Sequence, residues 1–172
     1  CSFLSNVPTI NDRLNIASGY LNFTDTYTKL MASGDGSTHV LTASPKANGF
    51  YNANGISGSL PLAYSLLQQR FMETFKLTRK SIRVDIHNDD PKNDEVKFPD
   101  ALNMYEYNRE NWTFHGKGMW YIPNENSNPL RLESTENTIK DKLPTGTIIG
   151  SPNYGWRSVM RDSESQIFLH TY

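Results

Sequence analysis

The chain has 172 residues, 37% of them hydrophobic and 12% aromatic, which suffices to bury one ordinary core and therefore predicts one domain. A net charge of -1 lacks the basic excess of a nucleic-acid binder, and the single thiol, Cys1, excludes an internal disulfide and favours a reducing, interior location. No run approaches the roughly 18 apolar residues that read as a membrane span, and no basic-then-apolar leader opens the chain, so as written it is expected to be soluble or peripheral to a membrane.

Leu14 to Phe23 reads as a strand, and Thr24 or Asp25 caps a short helix that stops at Gly34. Thr38 to Ala43 is a second strand. Ser44 to Ser59 carries Asn48-Gly49 and Asn54-Gly55, a composition of turns and exposed amides. Pro61 suits a first helical turn, and Leu67, Phe71 and Phe75 recur at i, i+4 and i+8 to give a long helix an apolar stripe. Ile82 to Ile86 alternates as a strand, and the residues near 88-99 form a polar insertion. Leu102 to Tyr107 and Trp112 to Tyr121 read as paired strands around Asn108 to Asn111. A second polar insertion follows near 124-143. Thr147 to Gly150 resumes as a strand, Asn153 to Met160 as a helix and Gln166 to Leu169 as a last strand. Such an order indicates an α/β fold, a mixed sheet layered by helices. Because the chain opens at Cys1 without a methionine and closes on an apolar strand, we expect it to be part of something longer.

The chemistry sits in His115-Gly116-Lys117-Gly118-Met119-Trp120 and, after the second insertion, Gly150-Ser151-Pro152-Asn153-Tyr154-Gly155-Trp156-Arg157-Ser158. On a strand, His115 and Lys117 project from one side while Gly116 and Gly118 leave the other bare. An imidazole beside a fixed ammonium is what phosphoryl transfer needs, since one moves protons or attacks and the other neutralises the non-bridging oxygens. Ser151 and Asn153 can donate hydrogen bonds to phosphate oxygens, and an acidic residue nearby has an imidazole to orient. A His-X-Lys triplet alone also fits a surface strand edge. Gly55-Ile56-Ser57-Gly58-Ser59, at a helix start, fits either a phosphate-holding turn or a plain connection; it is not a hydrolase elbow, which would need glycine where Ser59 stands. His39, His87 and His170 have no metal-ligand spacing, and no metal is assigned.

His-X-Lys, then Gly-Ser-X-Asn, then an acidic residue resembles half of a phospholipase D superfamily active site. Ala17 to Thr24, Leu41 to Phe50 and Gly150 to Glu164 narrow the resemblance to the C-terminal half of the eukaryotic mitochondrial phosphatidylglycerophosphate synthases. The resemblance implies a phospholipase D-like lobe over 1-172, one half of a two-lobed enzyme, without cofactor or metal. It implies transfer of a phosphatidyl group from CDP-diacylglycerol to glycerol 3-phosphate, giving phosphatidylglycerophosphate and CMP, at the mitochondrial inner membrane as a peripheral protein. Of the family's two His-Lys motifs, this chain has the second, in which Ile122 stands where the wider superfamily has aspartate. His115 is then the general acid/base that works with a phosphohistidine formed elsewhere. Lys117, Ser151 and Asn153 clamp phosphoryl oxygens, Glu164 orients the histidine of the N-terminal half, and Asn48, Gly49 and Arg157 contact substrate. The chain without that half is expected to be silent. The alternatives are a phospholipase D-like phosphodiesterase or nuclease, which the mild acidity and Ile122 disfavour, and a non-catalytic lipid-headgroup or partner-binding half-domain. For membrane contact, the aromatic candidates near the site are Phe50, Tyr51, Met119, Trp120 and Tyr121, with core packing as the competing role of Trp120.

Overall fold

The structure, a computed structural model, describes residues 12–87, 102–124 and 143–170. Both polar insertions therefore lie almost wholly outside the described residues. Six strands form one mixed sheet in the order β3-β2-β1-β4-β5-β6. These are β1 (Arg13–Ser18), β2 (Ser37–Ala43), β3 (Leu102–Tyr107), β4 (Lys117–Ile122), β5 (Gly146–Gly150) and β6 (Gln166–His170), joined with helices α1 (Asp25–Ser33), α2 (Leu60–His87) and α3 (Trp156–Met160). β1, β2 and β3 run parallel, whereas β4, β5 and β6 are each antiparallel to the neighbour before them. Parallel neighbours need a crossover, and α1 and α2 supply them.

α1 begins where the sequence places it: Thr24 is the N-cap, its hydroxyl accepting from the Tyr27 amide, and the helix stops at Gly34. The face of the sheet carrying Leu14, Ile16, Val40, Met119 and Ile148 packs against Met31 and Ala32 of α1 and Phe71 and Phe75 of α2. Phe71 and Phe75 meet edge to face at 6.0 Å, and Phe23 meets Phe71 at 5.1 Å. Rings of this size each contribute about 1.5–3 kcal/mol on burial. Farther along α2, buried Arg79 donates to the Gly36 and Asp35 carbonyls at 3.1 Å, pinning the helix to the segment that leads into β2. The opposite face is more open, with Tyr105, Ile149, Ile167 and Leu169 each more than half exposed.

Four expectations change. Ile82 to Ile86 is not a strand but the last part of α2, which runs on to His87; β-branched residues lower helix propensity only slightly, and a helix already nucleated and packed carries them. Leu102–Tyr107 and Lys117–Ile122 are not partners, because β2 and β1 lie between them. The first strand ends at Ser18 rather than Phe23, which makes only an isolated bridge to Gly155. The helix after Asn153 is shorter than expected, Trp156–Met160.

Candidate active site

β1 and β2 end, and β4 begins, at the same edge of the sheet, since Ser18 is in register with both Thr42 and Lys117. Ligands of open α/β sheets gather outside the carboxyl ends of parallel strands. His115 stands there, exposed, just ahead of β4 rather than inside it. The glycine side of the motif is not bare: a β-carbon added at Gly116 would meet the Phe114 ring at 2.8 Å, and one at Gly118 the Trp120 ring at 2.7 Å. These glycines make room for aromatic rings that lie over the strand.

Tyr20, which no spacing in the sequence singles out, contacts the imidazole directly. Its hydroxyl lies 3.0 Å from His115 Nε2, and the rings meet edge to face at 86° and 5.3 Å. Two close backbone approaches make this possible. A β-carbon at Gly19 would lie 2.6 Å from the Phe114 carbonyl oxygen, and one at Gly49 would lie 2.8 Å from the Tyr20 hydroxyl and 3.7 Å from His115 Nε2. Only glycine lets these turns close on the histidine. Tyr20 also packs on Tyr64 of α2 at 5.2 Å and on Phe50 at 5.9 Å. Burial pushes the Tyr20 phenol above its ordinary range, opposed in part by a hydrogen bond from the Gly49 backbone.

Lys117 Nζ donates to the His115 carbonyl at 3.1 Å, and its half-buried ammonium has two further protons to offer. Asn48 is buried, and its Oδ1 accepts from the Phe50 amide at 2.9 Å, so this side chain shapes the loop that delivers Gly49. Across the edge, buried Ser18 donates to the Asn153 carbonyl at 3.1 Å, tying the end of β1 to the loop after β5. The Asn153 amide in turn donates to Ser158 Oγ at 3.2 Å, while its side-chain Oδ1 is buried with no partner among the described residues. Ser151 Oγ donates to Glu164 Oε2 and accepts from the Ser165 amide at 3.0 Å. Arg157 pairs with Asp162 at 3.0 Å on the surface; that hydrogen bond raises its pKa further, with smaller contributions from Tyr64 and Glu164.

The 3₁₀ turn Gly55–Ser59 runs straight into α2, and the Leu60 amide already donates to the Ser57 carbonyl, which favours the plain connection for this segment. Met119 is buried in the core, and half-buried Tyr121 donates to Asp12 Oδ2 at 2.7 Å; Phe50 and Tyr51 are exposed. His39 is half-buried and stacked on Tyr105 at 6.1 Å, on the sheet face away from the helices. Among the described residues, no group of three or more His, Cys, Asp or Glu side chains is arranged to hold a metal ion. No described helix is long and apolar enough to cross a membrane.

This fold is shared with phosphatidylserine synthase of Haemophilus influenzae Rd KW20, which superposes with a TM-score of 0.60 at 18% identity, covering 94% of this chain and 29% of that one. The mixed sheet layered by helices expected for a phospholipase D-like lobe is therefore the fold found. No family model matches the chain. It is a homologue of the CDP-diacylglycerol–glycerol-3-phosphate 3-phosphatidyltransferases. It is 32% identical over 156 residues to a probable one from Dictyostelium discoideum, covering 91% of this chain and 21% of that protein. It is 33% identical over 159 residues to the mitochondrial one of Homo sapiens, covering 92% and 23%. A third, from Saccharomyces pastorianus, is 30% identical over 178 residues, covering 99% and 29%. The chain thus spans about a fifth to under a third of the length of these relatives.

Proposed function

We propose that the chain carries the second of two catalytic motifs of a phosphatidyltransferase that moves the phosphatidyl group of CDP-diacylglycerol to glycerol 3-phosphate. The observation that carries this reading is the exposed imidazole of His115, beside Lys117 at the carboxyl edge of the sheet, in a chain whose relatives bear that activity in their names. In the reaction, a histidine outside the described residues attacks phosphorus, forming a P–N bond as the P–O bond to CMP breaks. His115 then accepts the proton of the glycerol 3-phosphate hydroxyl as that oxygen displaces the histidine, giving phosphatidylglycerophosphate. Lys117 and Ser151 bind non-bridging oxygens, and Asn153 completes the cradle from the loop after β5. Glu164, which Ser151 now holds, is the carboxylate available to orient the first histidine.

Between the Asn48–Asn52 and Asn108–Thr113 loops lies an open cavity of about 640 Å³ that reaches Gly49 and holds Lys46 and Arg109. Its two cations, lined beside the Glu110 carboxylate, suit a phosphorylated substrate, with Arg109 supported by Trp112 at 4.3 Å. The donor's acyl chains require a lipid surface, and exposed Phe50 and Tyr51 give the chain a peripheral contact beside the site. Relatives named as mitochondrial support a mitochondrial place, within which the inner membrane is the proposed surface. The direct test follows phosphatidylglycerophosphate and CMP in the complete enzyme, given CDP-diacylglycerol with and without glycerol 3-phosphate. Acceptor-dependent release of CMP, unaffected by a chelator, is expected. Acceptor-independent hydrolysis to phosphatidate would point instead to a phosphodiesterase.

A further inference from the structure

We infer that the cavity between the loops after β2 and β3 is the acceptor's site, in which Lys46 and Arg109 hold the phosphate of glycerol 3-phosphate and so select it over unphosphorylated alcohols. The cavity's place in the reaction rests on the function proposed above; its charge and construction do not. Among the described residues, neither Lys46 nor Arg109 is paired with a carboxylate. Glu110 is the one acidic residue of the lining, so two cations face one carboxylate and a positive charge remains in excess. A guanidinium offers a fork of donors that matches phosphate oxygens, and an ammonium adds a point charge. The Trp112 ring, 4.3 Å from the Arg109 guanidinium, steadies that fork at the cavity wall.

Backbone bonds tie the two walls together. The Ser44 amide donates to the Tyr107 carbonyl at 3.0 Å, and the Phe114 amide to the Ala47 carbonyl at 2.9 Å. Each wall also turns on an asparagine in the left-handed region, Asn52 with φ 61 and Asn111 with φ 60, and both line the cavity. The cations are thus carried on loops fixed to one another before a ligand arrives, which lowers the cost of binding. The cavity also lies beside the imidazole: Gly49 lines it, and a β-carbon on Gly49 would stand 3.7 Å from His115 Nε2. Glycerol 3-phosphate carries its reacting hydroxyl and its phosphate at opposite ends of a three-carbon chain, so a hydroxyl held at His115 sends the phosphate into a neighbouring space. The donor's acyl chains need a lipid surface instead, whereas a lining of asparagines and cations suits the water-soluble substrate.

Initial rates of the complete enzyme with glycerol 3-phosphate and with glycerol as acceptors provide the test. Lys46→Gln combined with Arg109→Gln should raise the KM for glycerol 3-phosphate about tenfold and lower the preference for it over glycerol by the same factor, since only the phosphorylated acceptor loses a partner. Both side chains are exposed, so the thermal midpoint should hold. Equal losses with the two acceptors, or a raised KM for CDP-diacylglycerol in place of the acceptor's, would overturn the inference. Calorimetric titration of the complete enzyme with glycerol 3-phosphate, in the absence of donor, reads the same site without turnover, and its affinity should fall about tenfold in the double variant. An enzyme that binds glycerol 3-phosphate through Lys46 and Arg109 yet makes no phosphatidylglycerophosphate would overturn the proposed function and not this site. An enzyme that makes it, with the acceptor's KM unchanged in the double variant, would overturn the site and not the function.

Discussion

The two sides of the carboxyl edge are built in opposite ways. On the β1–β4 side, the imidazole is exposed but held, because His115 rests on a half-buried Tyr20 on which Tyr64 and Phe50 pack and over which Gly49 closes. On the β5–β6 side, the Ser151 hydroxyl is already bonded, bridging Glu164 and the Ser165 backbone. A held imidazole is prepared for chemistry before substrate arrives. A hydroxyl engaged with a carboxylate must exchange that bond for one to phosphate, so its contribution falls on binding. Substitutions on the first side are therefore expected to act on kcat and those on the second on KM.

The largest effect is expected at His115. His115→Asn in the complete enzyme should lower phosphatidyl transfer by about 10²- to 10⁴-fold, the usual cost of losing a general acid/base. Because the side chain is exposed, the thermal midpoint should stay nearly unchanged. Activity within a few-fold of the unsubstituted enzyme would remove His115 from the chemistry. Ser151→Ala sharpens the contrast: a KM for CDP-diacylglycerol raised about tenfold with kcat held is expected from one hydrogen bond to a charged phosphate. A fall in kcat with KM unchanged would place Ser151 with the reacting atoms and erase the distinction between the two sides.

A smaller effect concerns Tyr154, which sits beside the second side with φ 58 and a buried hydroxyl that has no partner among the described residues. Its pKa is pushed up from 10.0 to about 12, first by burial and then by Tyr27. A raised pKa in the folded state means that the associated stability is intact below pH 10.0 and is lost as pH rises through about 12. Tyr121, raised by burial and by Asp12, acts in the same direction. Tyr154→Phe should flatten this alkaline loss and, by removing an unpaired buried hydroxyl, leave neutral-pH stability unchanged or raised by about 1 kcal/mol. A clear loss of stability at neutral pH, seen in thermal melts, would show that the hydroxyl has a partner. The smallest expected change is at the loop: Phe50→Ser with Tyr51→Ser should weaken flotation with cardiolipin-containing liposomes while shifting the thermal midpoint little. Intact flotation with a large drop in midpoint would assign the two rings to packing, Phe50 against Tyr20.

The same contrast explains what the sequence disclosed. Phe71 and Phe75 declare α2 because the core imposes a helical period on them, with half-buried Leu67 on the same stripe, and Thr24 declares the start of α1 because its hydroxyl caps an amide. That His115 and Lys117 stand together was legible because one residue separates them, and the structure keeps them at the start of β4. Tyr20 was not, since a tyrosine after a glycine turn has no diagnostic spacing, and its partners Gly49 and His115 are brought together only by the sheet order. That order was itself hidden: β3 and β4 are neighbours in sequence but separated by two strands in space. The end of α2 was misread because alternation over five residues, Ile82 to Ile86, fits a strand as readily as a helix already under way. Asn48 has a local task that its place in the sequence did not disclose, its Oδ1 turning the loop so that Gly49 can approach the histidine.

The central claim is that His115 handles the proton of the acceptor while another histidine carries the phosphatidyl group, and rapid-quench kinetics of His115→Asn in the complete enzyme test it most directly. The phosphate of CMP is a good leaving group that departs with little help from an acid, whereas the glycerol 3-phosphate hydroxyl needs a base. The account predicts a burst of CMP stoichiometric with enzyme, accumulation of an acid-labile phosphatidyl-histidine, and slow passage of that group to glycerol 3-phosphate. A variant that releases no burst and forms no covalent species would make His115 the nucleophile and contradict the account.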